Sequence, residues 1–316
     1  MNPSQRNPAG TSIDPKALIA LGDIEWRARV VLEGFRHGLH RSPVRGFSAE
    51  FTEYRPYVPG DDTRRLDWKL AARTDRWHMK QFEEETNTAA YLLVDQSRSM
   101  QYGSLGYTKQ QYGNTFAATL AQFFHDQGDA IGLLTFSDGP LTFTPARRRR
   151  GHLRTLFRQL DTPAEGRITA LHAPINRLYQ LVRRRSLILI LSDFLAPLDD
   201  FAAELKRIGA AGHQVILVRL LDPAEINLPF DKTVLLEDLE TGRPLFVNAP
   251  SSRSSYLEAM GNHFGILKKL CDQHGFSWCE ASTSDPFDVL LRKCLEGTSG
   301  HGMRGRRATG QSTGRR

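Results

Sequence analysis

One carboxylate and two hydroxyls spaced two residues apart, Asp95, Ser97 and Ser99, close an apolar run from Ala89 to Val94. On an extended backbone, side chains two apart point the same way. These three would then present hard oxygen atoms together while Gln96 and Arg98 face elsewhere. Such oxygens suit Mg²⁺, Mn²⁺ or Ca²⁺ and not the metals that prefer thiolate or imidazole. Asp193 closes a second uncharged run, Ser186 to Ser192, and Thr169 precedes the helical pattern of Leu171, Ile175, Leu178, Leu181 and Val182. That pattern places the Thr169 hydroxyl at a helix start. Taken singly, each piece has a simpler role: Asp-x-Ser-x-Ser fits a turn or cap, and Asp193 could cap a helix beginning near Pro197. Their agreement points to a divalent-metal site built from Asp95, Ser97, Ser99, Thr169 and Asp193.

The elements that must position these residues follow from hydropathy. Ala89 to Val94, Ala130 to Phe136, Ser186 to Ser192 and Gln214 to Leu221 are nearly uncharged runs of strand length, as expected of parallel strands covered on both faces. In an open α/β sheet, ligands bind at the carboxyl ends of such strands. Helical spacing marks Pro15 to about Gly38, Lys109 to Gln127, a segment through Leu153 to Leu160, Phe201 to Gly209, Tyr256 to His274, and a closing helix through Leu290 and Leu291. Leu141 to Thr144 reads as a short edge strand and Phe276 to Cys279 as a last strand. Two β-prone pieces, Thr233 to Leu236 and Leu245 to Val247, flank Glu240-Thr241-Gly242-Arg243-Pro244 and read as a hairpin.

The expected fold is α/β, a doubly wound, mostly parallel, Rossmann-type sheet with an N-terminal helix/β segment and an inserted β-hairpin. Residues 1–85 form the N-terminal segment, 86–296 the sheet domain with the hairpin at about 223–250, and 297–316 a disordered basic tail.

The site resembles the metal-ion-dependent adhesion site of von Willebrand factor type A domains, with Asp95, Ser97 and Ser99 matching its Asp-x-Ser-x-Ser, Thr169 its loop threonine and Asp193 its later aspartate. A second block is similar to the bacterial family called "domain of unknown function 58", in which a von Willebrand A-like domain follows directly. It comprises Arg45-Gly46-Phe47-Ser48-Ala49-Glu50-Phe51, Tyr54-Arg55-Pro56-Tyr57, Pro59-Gly60-Asp61-Asp62, Arg64, Asp67-Trp68, Ala72-Arg73, Lys80 and Phe82 to Glu85. The resemblance implies a role beside AAA-type ATPases of the MoxR group in maturing other proteins. Within the block, Arg55, Tyr57, Asp61, Asp62, Arg64, Asp67, Trp68 and Arg73 read in two ways. They form either an ion-paired clasp on the sheet domain or a partner-docking surface, since arginine with aromatics is the composition of interface hot spots.

Composition narrows the function classes. With 40% hydrophobic and 24% charged residues the chain is ordinary for a globular protein, and no apolar run approaches the roughly 20 residues of a membrane span. The polar N-terminus lacks a signal-peptide core, so a cytoplasmic protein is expected. Cys271, Cys279 and Cys294 show no metal or disulfide spacing, which suggests buried reduced thiols. Of the net charge of +7, five units are the arginines of 297–316, a stretch without acids, so the body is nearly neutral.

The leading expectation is a non-catalytic, metal-dependent protein-binding module. Two carboxylates leave a dication net positive, with a position open to an acidic residue of a client. One alternative is a metal-dependent hydrolase, in which an ion held by Asp95 and Asp193 activates water. The sequence has no Gly-x-Ser-x-Gly, His-Glu-x-x-His or phosphate-loop motif to support it. The other is a weak nucleic-acid binder working through Arg147 to Arg150 and the tail.

Overall fold

The computed structural model describes residues 13–39, 54–56, 78–80, 89–137, 141–162, 171–237 and 242–302. The chain divides into two compact units, residues 41–87 and the remainder. In the smaller unit, β1 (Tyr54–Pro56) pairs antiparallel with β2 (His78–Lys80), Arg55 opposite Met79.

The larger unit begins with two helices, α1 (Pro15–Ile19) and α2 (Ile24–Leu39), where the hydrophobic spacing predicts one. The break has a local cause. Asp23 Oδ1 accepts the Glu25 amide at 2.8 Å, and the Arg27 guanidinium donates to the Leu21 and Gly22 carbonyls at 2.5 and 3.2 Å, fixing the turn. The apolar face of α2 packs on α3 (Lys109–Asp126), with Phe35 edge-on to Phe123 at 6.2 Å and Arg36 paired to Asp126 at 2.7 Å. These helices therefore belong with the sheet.

The sheet comprises β3 (Ala89–Asp95), β4 (Ala130–Phe136), β5 (Thr142–Arg147), β6 (Ser186–Ser192), β7 (Gln214–Leu221) and β10 (Ser277–Ser282), in the order β10-β7-β6-β3-β4-β5. All neighbours are parallel except β5, which runs antiparallel on the edge. Period-two alternation divides the core. Leu92, Val94, Leu189, Leu191, Ile216 and Val218 face the layer containing α2, α3 and α4 (His152–Asp161). Leu93, Ile188, Ile190, Val215 and Leu217 face the layer of α5 (His172–Leu181) and α6 (Asp199–Ala210). Burial on both sides explains the uncharged runs.

After β7 comes the short α7 (Pro223–Asn227), then the antiparallel hairpin of β8 (Thr233–Glu237) and β9 (Pro244–Asn248). The long helix α8 (Ala249–His274) starts seven residues before the expected Tyr256, because Asn248 caps it and Pro250 sits in its first turn. Two interior glycines of α8, Gly261 and Gly265, have no atom within 4 Å of where a Cβ would stand. Each costs the helix about 1 kcal/mol relative to alanine. The last helix, α9 (Phe287–Gly302), runs into the segment expected to lack order. The three cysteines are free and buried, with the Cys279 and Cys294 sulfurs 3.3 Å apart. Among the described residues, no helix is long and apolar enough to cross a membrane.

His213, just before β7, is buried, and its Nδ1 has no hydrogen-bond partner among the described residues. Burial lowers its pKa below the usual 6.5, against a backbone hydrogen bond at Ser186 that raises it. A folded-state pKa lower than the unfolded one gives stability that is present above the unfolded pKa and lost as pH falls through the folded one. The urea midpoint should therefore drop from about pH 7 to about pH 5, and the drop should be smaller in His213→Phe.

Candidate metal centre

Strand β3 ends on Asp95 at the carboxyl edge, and the neighbouring β6 ends on Ser192, with Asp193 next in chain. All three are fully buried. Asp95 Oδ1 accepts the Ser97 amide at 2.8 Å, and Oδ2 accepts the Ser192 hydroxyl at 2.5 Å. Ser192 Oγ in turn accepts the Phe194 amide at 3.0 Å. The Asp95 carboxylate is thus held in one orientation by two strands.

Extended backbone does not bring the two serines together. A single 3-10 turn, Arg98–Gln101, starts directly after Ser97, and it brings the Ser97 and Ser99 hydroxyl oxygens to 3.0 Å. Ser97 makes no side-chain cap to that turn, so its hydroxyl is not consumed by the backbone. The expected convergence is present with a different cause.

Asp193 does not cap the following helix, which begins at Asp199 behind Leu198. Its Oδ1 accepts the Leu195 amide at 3.2 Å, and its Oδ2 accepts from Lys109 Nζ at 2.8 Å. Lys109 is fully buried and also donates to Glu225 Oε1 at 2.6 Å. One ammonium therefore serves two carboxylates. Burial alone would lower the Lys109 pKa, but the Asp193 and Glu225 charges and hydrogen bonds carry it above its ordinary value. Burial raises the Glu225 pKa, opposed by Lys109.

Glu225 is fixed by a capping box on α7. Its Oε2 accepts the Asp222 amide at 2.8 Å, while Asp222 Oδ1 accepts the Ala224 amide at 2.8 Å. Asp222 also accepts the Ser104 amide and hydroxyl at 2.9 and 2.5 Å, tying the loop after the 3-10 turn to the end of β7. Sequence reading missed Lys109, Ser192 and Glu225 as site residues. The one visible signal was the Asp222-x-x-Glu225 capping-box spacing.

Beside Asp193 the backbone takes an uncommon shape: Phe194 has φ 54°, a left-handed conformation costly for a bulky residue. Its ring is buried near Phe201 and Trp278 at 5.7 and 6.0 Å, and its carbonyl accepts from His263 Nε2 at 2.6 Å. Packing holds the turn that aims Asp193.

The donor chemistry suits a hard dication. Burial first, and the Asp193 charge second, push the Asp95 carboxyl up to about 7, against hydrogen bonds from Ser192 and Ser97 that lower it. Among the described residues no cationic side chain contacts Asp95, since Lys109 is taken by Asp193 and Glu225. Nor do they include a cluster of three or more His, Cys, Asp or Glu side chains placed to hold a metal. The carboxylates that could serve a cation here are therefore two, Asp95 and Asp193, beside the Ser97 and Ser99 hydroxyls. Thr169 lies outside the described residues, as do Tyr57, Asp61, Asp62, Arg64, Asp67, Trp68 and Arg73, while Arg55 is described only as part of β1.

The mostly parallel sheet thus has one antiparallel edge and carries an Asp-x-Ser-x-Ser loop at its carboxyl edge. The family model described as "Protein of unknown function DUF58" matches residues 53–264, and the chain belongs to that family. It is 33% identical over 255 residues to "Uncharacterized protein Rv1480" of Mycobacterium tuberculosis, covering 79% of this chain and 80% of that one. "Uncharacterized protein Mb1516" of Mycobacterium bovis matches to the same extent, with 33% identity over 255 residues. Among solved structures, BatB from Bacteroides thetaiotaomicron superposes with a TM-score of 0.46 at 11% identity, covering 67% of this chain and 99% of that one. The SpRpn10 VWA domain superposes with a TM-score of 0.40 at 14% identity, covering 65% and 94%.

Proposed function

We propose that this protein is a non-catalytic, divalent-metal-dependent protein-interaction module. Asp95, Ser97, Ser99, Thr169 and Asp193 hold the ion, Mg²⁺ or alternatively Mn²⁺ or Ca²⁺. The observation that supports this reading is the fully buried Asp95 carboxylate, oriented by two hydrogen bonds and without a cationic partner among the described residues, beside two converging hydroxyls. A bound dication would supply positive charge and an exchangeable position for an acidic side chain. The chain's own residues orient the donors, and the Lys109 pair limits how much negative charge faces that position.

The client contact is accordingly an aspartate or glutamate of another protein. The family resemblance suggests a MoxR-type AAA ATPase as working partner in maturation or assembly, in the cytoplasm. The charged and aromatic residues Arg55, Tyr57, Asp61, Asp62, Arg64, Asp67, Trp68 and Arg73 are proposed as its docking surface.

Affinity capture from the native cell tests the proposal, comparing the intact chain with Asp95→Ala, each with and without chelator. The intact chain without chelator should recover an ATPase or acidic client, and the other three conditions should not. Recovery that ignores chelator but disappears on deletion of residues 297–316 would assign binding to the basic tail and reject the metal.

A further inference from the structure

A groove of about 260 Å³ lies between α8 and the β7/β10 end of the sheet, and the metal reading makes no use of it. Leu221, Ile226, Met260 and Phe264 give it apolar walls. Four charged groups line it as well: Arg219, Lys268, Glu225 and Glu280. The two acids already have partners. Glu225 is held by Lys109 and the Asp222 amide, and Glu280 accepts from Trp278 Nε1 at 2.8 Å and faces Arg219 Nη2 at 3.3 Å.

The basic groups are less fully partnered. Arg219 Nε is buried without a hydrogen-bond partner among the described residues, although the side chain is only 15% exposed. Its guanidinium carbon lies 4.4 Å from the centroid of the Phe264 ring. Lys268 is exposed at the same groove and makes no ion pair or hydrogen bond to the described residues. Burial lowers the Arg219 pKa, with the Glu280 charge opposing.

Arginine is an unusual resident of β7, whose other residues beyond Gln214 are all buried. A guanidinium largely withdrawn from water with one donor unmet is costly even beside the Glu280 carboxylate. The helix facing it keeps the space open. Gly261 and Gly265 line the groove one turn apart, and no neighbour stands within 4 Å to require a missing side chain at either. Side chains at those positions would take up the volume.

We propose that this groove binds a carboxylate carried on a short apolar body, with Arg219 and Lys268 holding the charged head and Leu221, Ile226, Met260 and Phe264 enclosing the tail. Unmet donors at one end and an apolar lining elsewhere match an amphiphilic monoanion. Two sources share this chemistry, a free small-molecule acid and the C-terminal carboxylate of a peptide ending in an aliphatic residue. The groove shares Glu225 with the Lys109 network at the carboxyl edge, but binding in it does not depend on a metal there.

Calorimetric titration of the full chain tests it, always in chelator so that an acid bound through a cation at the carboxyl edge does not register. Sodium hexanoate should bind, and hexanamide, of the same shape without the charge, should not. A blocked tripeptide ending in leucine, with a free or an amidated terminus, is titrated in parallel, and the tighter of hexanoate and the free-terminus peptide names the source. Arg219→Met should weaken binding at least about tenfold while retaining the native circular-dichroism melt. Gly265→Leu, which leaves every charge in place, should abolish binding by filling the groove. Equal binding of acid and amide, affinity unchanged in Arg219→Met, or no binding of either carboxylate would overturn the proposal.

Discussion

Lys109→Met should destabilise the fold by about 3–5 kcal/mol, the cost of leaving buried charge without its partner. Methionine has nearly the same shape, so the loss isolates the ammonium. Asp193 and Glu225 would then face each other and Asp95 with nothing positive between them. Urea unfolding reads the effect. A loss within the range of about 0–1 kcal/mol typical of surface ion pairs would show that the ammonium is solvated. The triple variant Lys109→Met/Asp193→Asn/Glu225→Gln separates charge from packing. It should recover most of the loss, because buried ion pairs replaced whole by neutral groups of similar volume are often tolerated.

Mg²⁺ at about 100 times its dissociation constant should stabilise the intact chain by about 2.7 kcal/mol, and Asp95→Ala should abolish that increment. Asp95→Asn is the sharper control, since it keeps the size of the side chain and removes only its charge. Both variants should unfold at the same urea concentration with or without the ion. If the intact chain itself shows no Mg²⁺-dependent shift, the metal reading fails, whatever the variants do.

The strands were largely legible because their environment is uniform. Gln214–Leu221 and Ala130–Phe136 fall where the apolar runs predict, since strands buried on both faces tolerate little charge. Asp95 and Asp193 were legible for the converse reason: each marks the point where an uncharged run meets the carboxyl edge. Lys109 was hidden, because a lysine opening a helix beside Gln110 and Gln111 reads as solvent-facing. Its burial depends on Asp193, 84 residues away, and Glu225, 116 away. Separations of that kind carry no local pattern.

Short-range geometry was lost for another reason. Period-two reasoning predicts that Ser97 and Ser99 align on extended chain, and the 3-10 turn delivers the same meeting by curvature. The split between α1 and α2 was written in Gly22 and Asp23, but the continuous hydrophobic spacing across them concealed it. For Arg219, a single charge inside an apolar run shows nothing until the neighbouring helix is seen to leave space beside it.

The left-handed turn at Phe194 has a mechanical consequence. Its ring sits near Phe201 and Trp278 and its carbonyl is tied to His263, so α6, β10 and α8 all brace the residue that follows Asp193. The rim of the carboxyl edge beside Asp193 is therefore stiff. A client docking there, as proposed, would meet a rigid mould and would itself have to supply any adjustment of fit.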